Sequence, residues 1–440
     1  MSPEALSILM FLGLIVGLFM GHPLAFVLGG LAVIFGFIGP GPEVFGMLIN
    51  RIYGAIDNYV LVAVPIFIFM ARLLSDSGIA DRMFDVMRQL LGPVPGGLTL
   101  TVIGVSVVLA ATTGIIGASM SVMGLLALPS MLQHGYQKEI SCGAIAAGGS
   151  LGIFIPPSIM LVIMGSFASI SVGQLFAATL IPGLMLATLY AVYVAILSYF
   201  KPEIGPPMSE EERYGLSRKK LIGLMLKLVL PPFILVLGVL GSIFSGIATA
   251  TEAASIGAFI AFVLVIVHGE FTWEKLRDSV VETGKTTTMV LFIVVGATAF
   301  TGVFIMGGGI EVTTNFISGL GFNKWGTLVV MLVMVFVLGM FLDWLGIVLI
   351  CFPLFLPIVA DLGFDKLWFV VIIALVLQTS FLTPPFGYAL FYLKGVAPKE
   401  VSMGHIYRGV IPFVALILLG TFLAVVFPVI VTWLPSVMYG

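Results

Sequence analysis

From Leu6 onward the chain runs through long apolar segments, and its few polar breaks cut it into pieces of membrane-spanning length. Apolar stretches fall near 5 to 20, 23 to 38 and 59 to 75; an amphipathic piece follows at 79 to 91, then two arms at 97 to 113 and 116 to 133, then spans near 139 to 168 and 172 to 200. The order recurs at 223 to 243, 246 to 267 and 286 to 306, a short piece at 310 to 320, arms at 325 to 341 and 345 to 360, and spans at 366 to 393 and 409 to 435. About 20 apolar residues cross a bilayer core as a helix, whose backbone groups pair internally. The pattern predicts an all-α polytopic membrane protein.

The polar interruption "KPEIGPPMSEEERYGLSRKK", Lys201 to Lys220, leaves two halves of similar length. Pro129 precedes Pro156-Pro157 by 27 residues, and Pro357 precedes Pro384-Pro385 by the same 27, which sets an offset of 228. Gly13 matches Gly241 and Gly29 matches Gly257 at that offset, and "SLGIFIPPS" falls on "QTSFLTPPF" from Gln378 to Phe386. Most other glycines do not match. The joint coincidence predicts an internal duplication, with residues 1–200 as the first repeat, 201–222 as a linker and 223–440 as the second.

Composition sets the solvent. An apolar share of 60%, a charged share of 9% and a mean hydropathy of +1.22 exclude a soluble globule, in which about 25% of residues are charged. The first apolar stretch lacks a basic n-region and a small-residue cleavage site, so it reads as a span rather than a removed signal peptide. The net charge of -2 gives no sign of a nucleic-acid partner. Cys142 and Cys351 lie in apolar runs, with no spacing for a metal or a disulfide framework.

Charge also orients the chain, because Lys and Arg concentrate in short cytoplasmic loops. With the linker inside and each pair of arms returning as a hairpin, only Arg51, Lys324 and Lys366 of the 19 basic residues lie outside, a split of 16 to 3. One net crossing per arm pair gives 12 to 7. The hairpin arrangement is therefore expected, with cytoplasmic linker and periplasmic termini. Tips free of Lys and Arg favour hairpins that turn back inside the membrane. Each half then crosses an odd number of times, which makes an inverted-topology repeat.

Helix breaks in hydrocarbon expose unpaired backbone groups, tolerated only where protein or a water-filled cavity covers them. The breaks at "SLGIFIPPS" and "QTSFLTPPF" therefore read as binding sites. Freed carbonyls with Ser and Thr hydroxyls make a hard oxygen shell suited to Na+, and half-helix N-termini suit a carboxylate. The first tip, "ATTGIIGASMS", offers Thr112, Thr113, Ser119 and Ser121 beside Gly114 and Gly117; the second, "GMFLDWLG", carries Asp343. An ionisable residue at such depth is a site candidate, yet Asp343 serves equally as a cap for the second arm, and small polar residues also line plain helix contacts.

Other signals carry less. "TGKTTT", Thr283 to Thr288, lacks the first glycine of a P-loop and enters a span. "TATEAA", Thr249 to Ala254, predicts a capping box. His22, His134, His268 and His405 fall at span ends, and no catalytic triad or metal cluster emerges.

Together, "GAS" at the first tip, "SLGIFIPPS", "TATEAA" after "SGI", and "LTPPFGYALF" resemble the large membrane subunit of tripartite ATP-independent periplasmic (TRAP) transporters, the DctM type. The resemblance covers nearly the whole chain. It implies an elevator-type carrier that takes up a small organic acid, a carboxylate or sulfonate, with Na+ as coupling ion and no cofactor. It further implies a bacterial inner-membrane location and two partners: a small four-helix membrane subunit, expected here as a separate chain, and a periplasmic substrate-binding protein. The implied Na+ ligands are Ser119, Gly149, Ser150, Gly152 and Pro156 in the first half and Gly339, Asp343, Gln378, Thr379 and Thr383 in the second. Thr113, Ser121, Ser158, Ser380 and Pro385 are assigned to substrate. The alternative is a stand-alone ion-coupled carboxylate transporter without a binding protein; a channel or structural component leaves the duplicated breaks unexplained.

Overall fold

The computed structural model describes residues 1–75, 77–114, 116–209, 218–385 and 387–440. Its described residues form helices and short 3-10 turns, with no strand among them. In the first half these are α1 (Pro3–Phe19), α2 (Leu24–Ile38), α3 (Val44–Ile56), α4 (Ala63–Ser75), α5 (Ile79–Leu91), α6 (Gly97–Thr113), α7 (Ile116–Gln133), α8 (Lys138–Ser150), α9 (Ile159–Ala168) and α10 (Val172–Phe200). The second half holds α11 (Arg218–Phe244), α12 (Ala250–Val267), α13 (Trp273–Met306), α14 (Gly309–Gly319), α15 (Lys324–Gly339), α16 (Trp344–Asp361), α17 (Lys366–Ser380), α18 (Tyr388–Val396), α19 (Met403–Val426) and α20 (Val429–Tyr439).

Small polar residues start many of these helices. Ser2, Ser171, Thr272, Asn323 and Asp365 each accept the N–H three residues on, which satisfies one of the donors a helix start leaves free. Thr249 and Glu252 form the capping box expected at "TATEAA", and Ser402 with His405 forms another. "TGKTTT" lies inside α13, not in a phosphate-binding loop.

Six described helices are long and apolar enough to cross a membrane, and a seventh span arises if α3 and the Tyr59–Ser75 segment, bent by 51°, count as one. The chain is a multi-pass membrane protein. Three boundaries differ from the sequence reading. Residues 39 to 58, left without an element, contain α3, which buries Val44 and Leu48. α13 begins at Trp273 and runs for 34 residues, about 50 Å at 1.5 Å per residue, so its charged first turns extend past the roughly 30 Å hydrocarbon core. The last expected span is two helices, α19 and α20, separated at Phe427 and Pro428.

Elements recur at the sequence offset: α7 starts at residue 116 and α16 at 344, α8 at 138 and α17 at 366, each 228 apart. Several contacts between the halves come in matching pairs as well. α2 packs on α13 and α12 on α4; α5 on α11 and α14 on α1; α7 on α18 and α16 on α9; α8 on α19 and α17 on α10. Helices α1 to α4 with α11 to α13 form one packed group, and α6 to α10 with α15 to α19 form another. Lipid tails are as apolar as Leu, so close backbone approach matters more here than apolar burial. Between α8 and α19 a methyl on Gly143 would collide with the Gly409 carbonyl, and one on Gly409 with the Glu139 carbonyl.

Candidate functional site

The first tip rests on the first break. Gly114 follows α6 at φ 59° and ψ 10°, a left-handed conformation that costs other residues about 1–2 kcal/mol. A methyl at Gly114 would stand 3.2 Å from the Pro157 carbonyl oxygen and 3.6 Å from the Ile159 nitrogen. Below it, α8 stops at Ser150, residues Leu151–Ile153 make one 3-10 turn, the Pro156-Pro157 bond is cis, and α9 resumes at Ile159. Ser158 caps α9: its hydroxyl accepts from the Leu161 N–H at 3.4 Å and donates to the Ile153 carbonyl. Ser150 Oγ donates to the Ala147 carbonyl at 2.9 Å. Gly149 faces Met120, which follows the buried Ser119 on α7. Gly149, Gly152 and Pro156 are buried with the rest of the break. Ile115 and the side chain of Thr113 lie outside the described residues.

The second tip repeats the device with different contacts. α15 ends at Gly339, where a methyl would collide with Ser380 Oγ at the end of α17. Asp343 takes the N-cap position of α16 with an extended backbone, φ -66° and ψ 151°. It is half-buried and lies beside the Trp344 and Leu345 N–H groups, but its side chain makes no capping hydrogen bond. Thr379 Oγ1 donates to the Val376 carbonyl at 2.6 Å and Thr383 Oγ1 to the Thr379 carbonyl at 2.7 Å. Gln378 Oε1 and Nε2 and Ser380 Oγ are buried without a hydrogen-bond partner. An unmet buried polar group costs about 1–3 kcal/mol, so such groups mark places that a ligand, ion or water would serve. Pro385, joined to Pro384 by a cis bond, is exposed, and Phe386 lies outside the described residues.

The structure thus brings Gly114 to the Pro157–Ile159 break, the Ser119 turn of α7 to Gly149, and Gly339 to Ser380. Ser121 is half-buried on the α7 stripe with Gly117 and Gly124, which face Tyr392 and Leu393 of α18. The Ser158 hydroxyl, expected at the substrate, is committed to backbone. Two residues were missed. Tyr392 lies over the first tip, its ring 3.4 Å from the methyl position of Gly117. Asn58 Nδ2 donates to Ser166 Oγ at 2.7 Å, joining the turn before α4 to α9; a polar "DN" pair in an apolar run was the available signal. A separate cavity of about 300 Å³ lies between the α7–α8 and α18–α19 turns, where Lys138 Nζ donates to the Glu400 carbonyl at 3.1 Å. It touches neither tip.

Oxygen atoms dominate both tips, and no group of three His, Cys, Asp or Glu side chains suited to a metal occurs among the described residues. Oxygen donors of this kind suit hard cations.

Residues 11–430 match the family described as "Tripartite ATP-independent periplasmic transporter, DctM component". The chain is 30% identical over 399 residues to the C4-dicarboxylate TRAP transporter large permease protein DctM of Pseudomonas aeruginosa, covering 90% of this chain and 89% of that one. Identity to the sialic acid TRAP transporter large permease protein SiaM of Vibrio cholerae is 30% over 440 residues, covering 99% of both. With the isethionate TRAP transporter permease protein DctMQ of Oleidesulfovibrio alaskensis it is 31% over 408 residues, 91% of this chain and 62% of that longer one. Among solved structures, the fold is similar to that described as "Crystal structure of the Alcanivorax borkumensis YdaH transporter reveals an unusual topology", with a TM-score of 0.64, 14% identity, and coverage of 97% and 98%.

Proposed function

The chain belongs to the DctM-component family of tripartite ATP-independent periplasmic transporters, and from that premise we propose that it carries a small organic acid across the bacterial inner membrane by coupling to Na+. The acid is a carboxylate or sulfonate, as the names of the relatives suggest. It is delivered by a periplasmic binding protein, and a small four-helix membrane subunit completes the permease.

The two halves form an inverted repeat with re-entrant hairpins α6–α7 and α15–α16, a reading supported by the matched element spacing and paired contacts. Na+ binds at Ser119, Gly149, Ser150, Gly152 and Pro156 and again at Gly339, Asp343, Gln378, Thr379 and Thr383. Substrate lies against Thr113, Ser121, Ser158, Ser380 and Pro385, with Ser158 contributing through its backbone because its hydroxyl is engaged. The group α6 to α10 with α15 to α19 moves as one body against α1 to α4 and α11 to α13, an elevator motion.

The observation that carries this reading is the seating of each arm-pair tip on a helix break, Gly114 on Pro157 and Gly339 on Ser380. One Na+ moving inward down ~100 mV releases about 2.3 kcal/mol per charge. Uptake into vesicles holding the assembled permease and its binding protein should therefore require an inward Na+ gradient. Equal uptake driven by a proton gradient alone would overturn the reading.

A further inference from the structure

Among the six long spans, α11 is the least covered by the rest of the chain: 17% of its apolar window is buried, against 33–67% in the other five. Its uncovered residues share one face. Lys219, Gly223 and Lys227 follow at four-residue spacing with Lys220 beside them, and Leu226, Leu230, Phe233 and Leu237 carry the same exposed face onward. A methyl at Gly223 would meet nothing within 4 Å, so a gap opens between the lysines. Lys219 and Lys227 make no hydrogen bond or ion pair among the described residues.

Depth makes Lys227 unusual. α11 has 27 residues, about 40 Å at 1.5 Å per residue, which is roughly 10 Å more than a hydrocarbon core. With its Phe244 end at the far boundary, the near boundary falls close to Leu224, and Lys227 starts about one turn inside hydrocarbon. An ammonium at that depth is costly and needs an anion or water. Helical side chains lean toward the helix N-terminus, so the Lys227 stem runs back and lifts its charged head to the level of Gly223. Cations thus gather around a gap at headgroup depth, above an apolar track.

We propose that this face of α11 is a binding site for an anionic glycerophospholipid, its phosphate held by Lys219 and Lys227 over Gly223 and its acyl chains lying along Leu226, Leu230 and Phe233. The order of the face, cations first and apolar residues after, is the order of such a lipid, head first and chains after. Charge selects among lipids. Lys220 adds to the positive field, which favours a net negative headgroup such as phosphatidylglycerol and opposes the ammonium of phosphatidylethanolamine. With the linker before α11 on the cytoplasmic side, as the charge split orients it, the lipid comes from the inner leaflet, where anionic lipids attract basic residues beside a span.

Native mass spectrometry of the complete complex in mild detergent, with phosphatidylglycerol or phosphatidylethanolamine added, tests the site. The parent complex should retain phosphatidylglycerol at least about tenfold better, and Lys219→Gln with Lys227→Gln should lower that retention at least about tenfold. Lys219→Arg with Lys227→Arg should preserve it. Gly223→Leu keeps every charge but fills the gap, and should also lower retention, which gives a second route should the glutamine variant assemble poorly. Equal retention of the two lipids by the parent, or unchanged retention in the glutamine or leucine variant, overturns the proposal. So does a glutamine variant that keeps its lipid but loses the small membrane subunit on purification, since protein would then cover this face. Lipid retention is read without uptake, so uptake driven equally by a proton gradient alone would overturn the Na+ coupling and leave the lipid site standing.

Discussion

At the first tip and break, Gly114 lies on Pro157 and the segment from Ser150 to Ser158 is buried throughout; at the second, Gly339 lies on Ser380 but Pro384 and Pro385 stand exposed. Their hydrogen bonding differs too. Ser150 and Ser158 spend their hydroxyl protons on the backbone of their own segment, so main-chain carbonyls are the chief groups left for a ligand. Gln378 and Ser380 keep an amide and a hydroxyl unmet. Carbonyl oxygens suit a cation alone, whereas an amide both donates and accepts. Variants in the first region should therefore disturb structure and coupling, and variants in the second should disturb ligand recognition.

The largest contrast is expected at Gly114. Gly114→Val places a β-branched residue at φ 59° and pushes its side chain toward the Pro157 carbonyl, a strain of about 1–3 kcal/mol before the clash is counted. Uptake should fall more than about tenfold, with a lower unfolding temperature. The position-matched residue in the second half is Leu342, in a tip that does not require glycine there. Leu342→Val should cost less than about twofold in uptake. Equal damage from both would erase the distinction between the tips.

A smaller, oppositely signed pair probes the unmet groups. Gln378→Leu removes a buried amide without a partner, which should raise ligand-free stability by about 1–3 kcal/mol while lowering uptake about tenfold. Ser150→Ala removes a satisfied hydrogen bond and should lower stability by about 0.5–1.5 kcal/mol. Thermal unfolding of the purified chain with and without Na+ measures both. A loss of stability in Gln378→Leu would show that the amide is already served and that the two regions are alike.

Much of this architecture could be read from residue order, because its causes are local. Gly and Thr at the tips, Pro-Pro at the breaks and Ser or Thr before apolar runs all act within a few residues, so α6, α7 and the capping box at Thr249 fell where expected. α3 escaped because "GPGPEVFG" looks like a turn, and only packing on α13 explains why a helix follows it. The true start of α13 escaped because a helix leaving the bilayer loses the apolar signature used to find it. At the site, residue types pointed to the tips and breaks. Which polar atoms are left unmet depends on packing between elements far apart in the chain, as does the contact between Asn58 and Ser166, 108 positions apart within the first half. No local pattern encodes that.

The smallest expected effect lies where the halves lack symmetry in charge. Glu270, in the turn between α12 and α13, accepts from Lys275 Nζ at 2.8 Å and from Arg82 of α5 at 3.1 Å; Pro42, its counterpart at the same offset, carries no charge. The Lys275 hydrogen bond and charge, with Arg82 adding less, hold the Glu270 carboxyl below its ordinary value of 4.5. A carboxyl lowered by folding stabilises the native state above its unfolded value, and that contribution disappears as pH falls through the folded one. Glu270→Gln should therefore lower the unfolding temperature slightly at pH 7, and the difference from the parent chain should shrink steadily as pH falls below 4.5. About 1 M salt, with a screening length near 3 Å, should also shrink it at pH 7, as expected for exposed ion pairs. A difference that persists at low pH and high salt would mean that Glu270 acts through packing, and the α5 contact would then belong with the symmetric part of the fold.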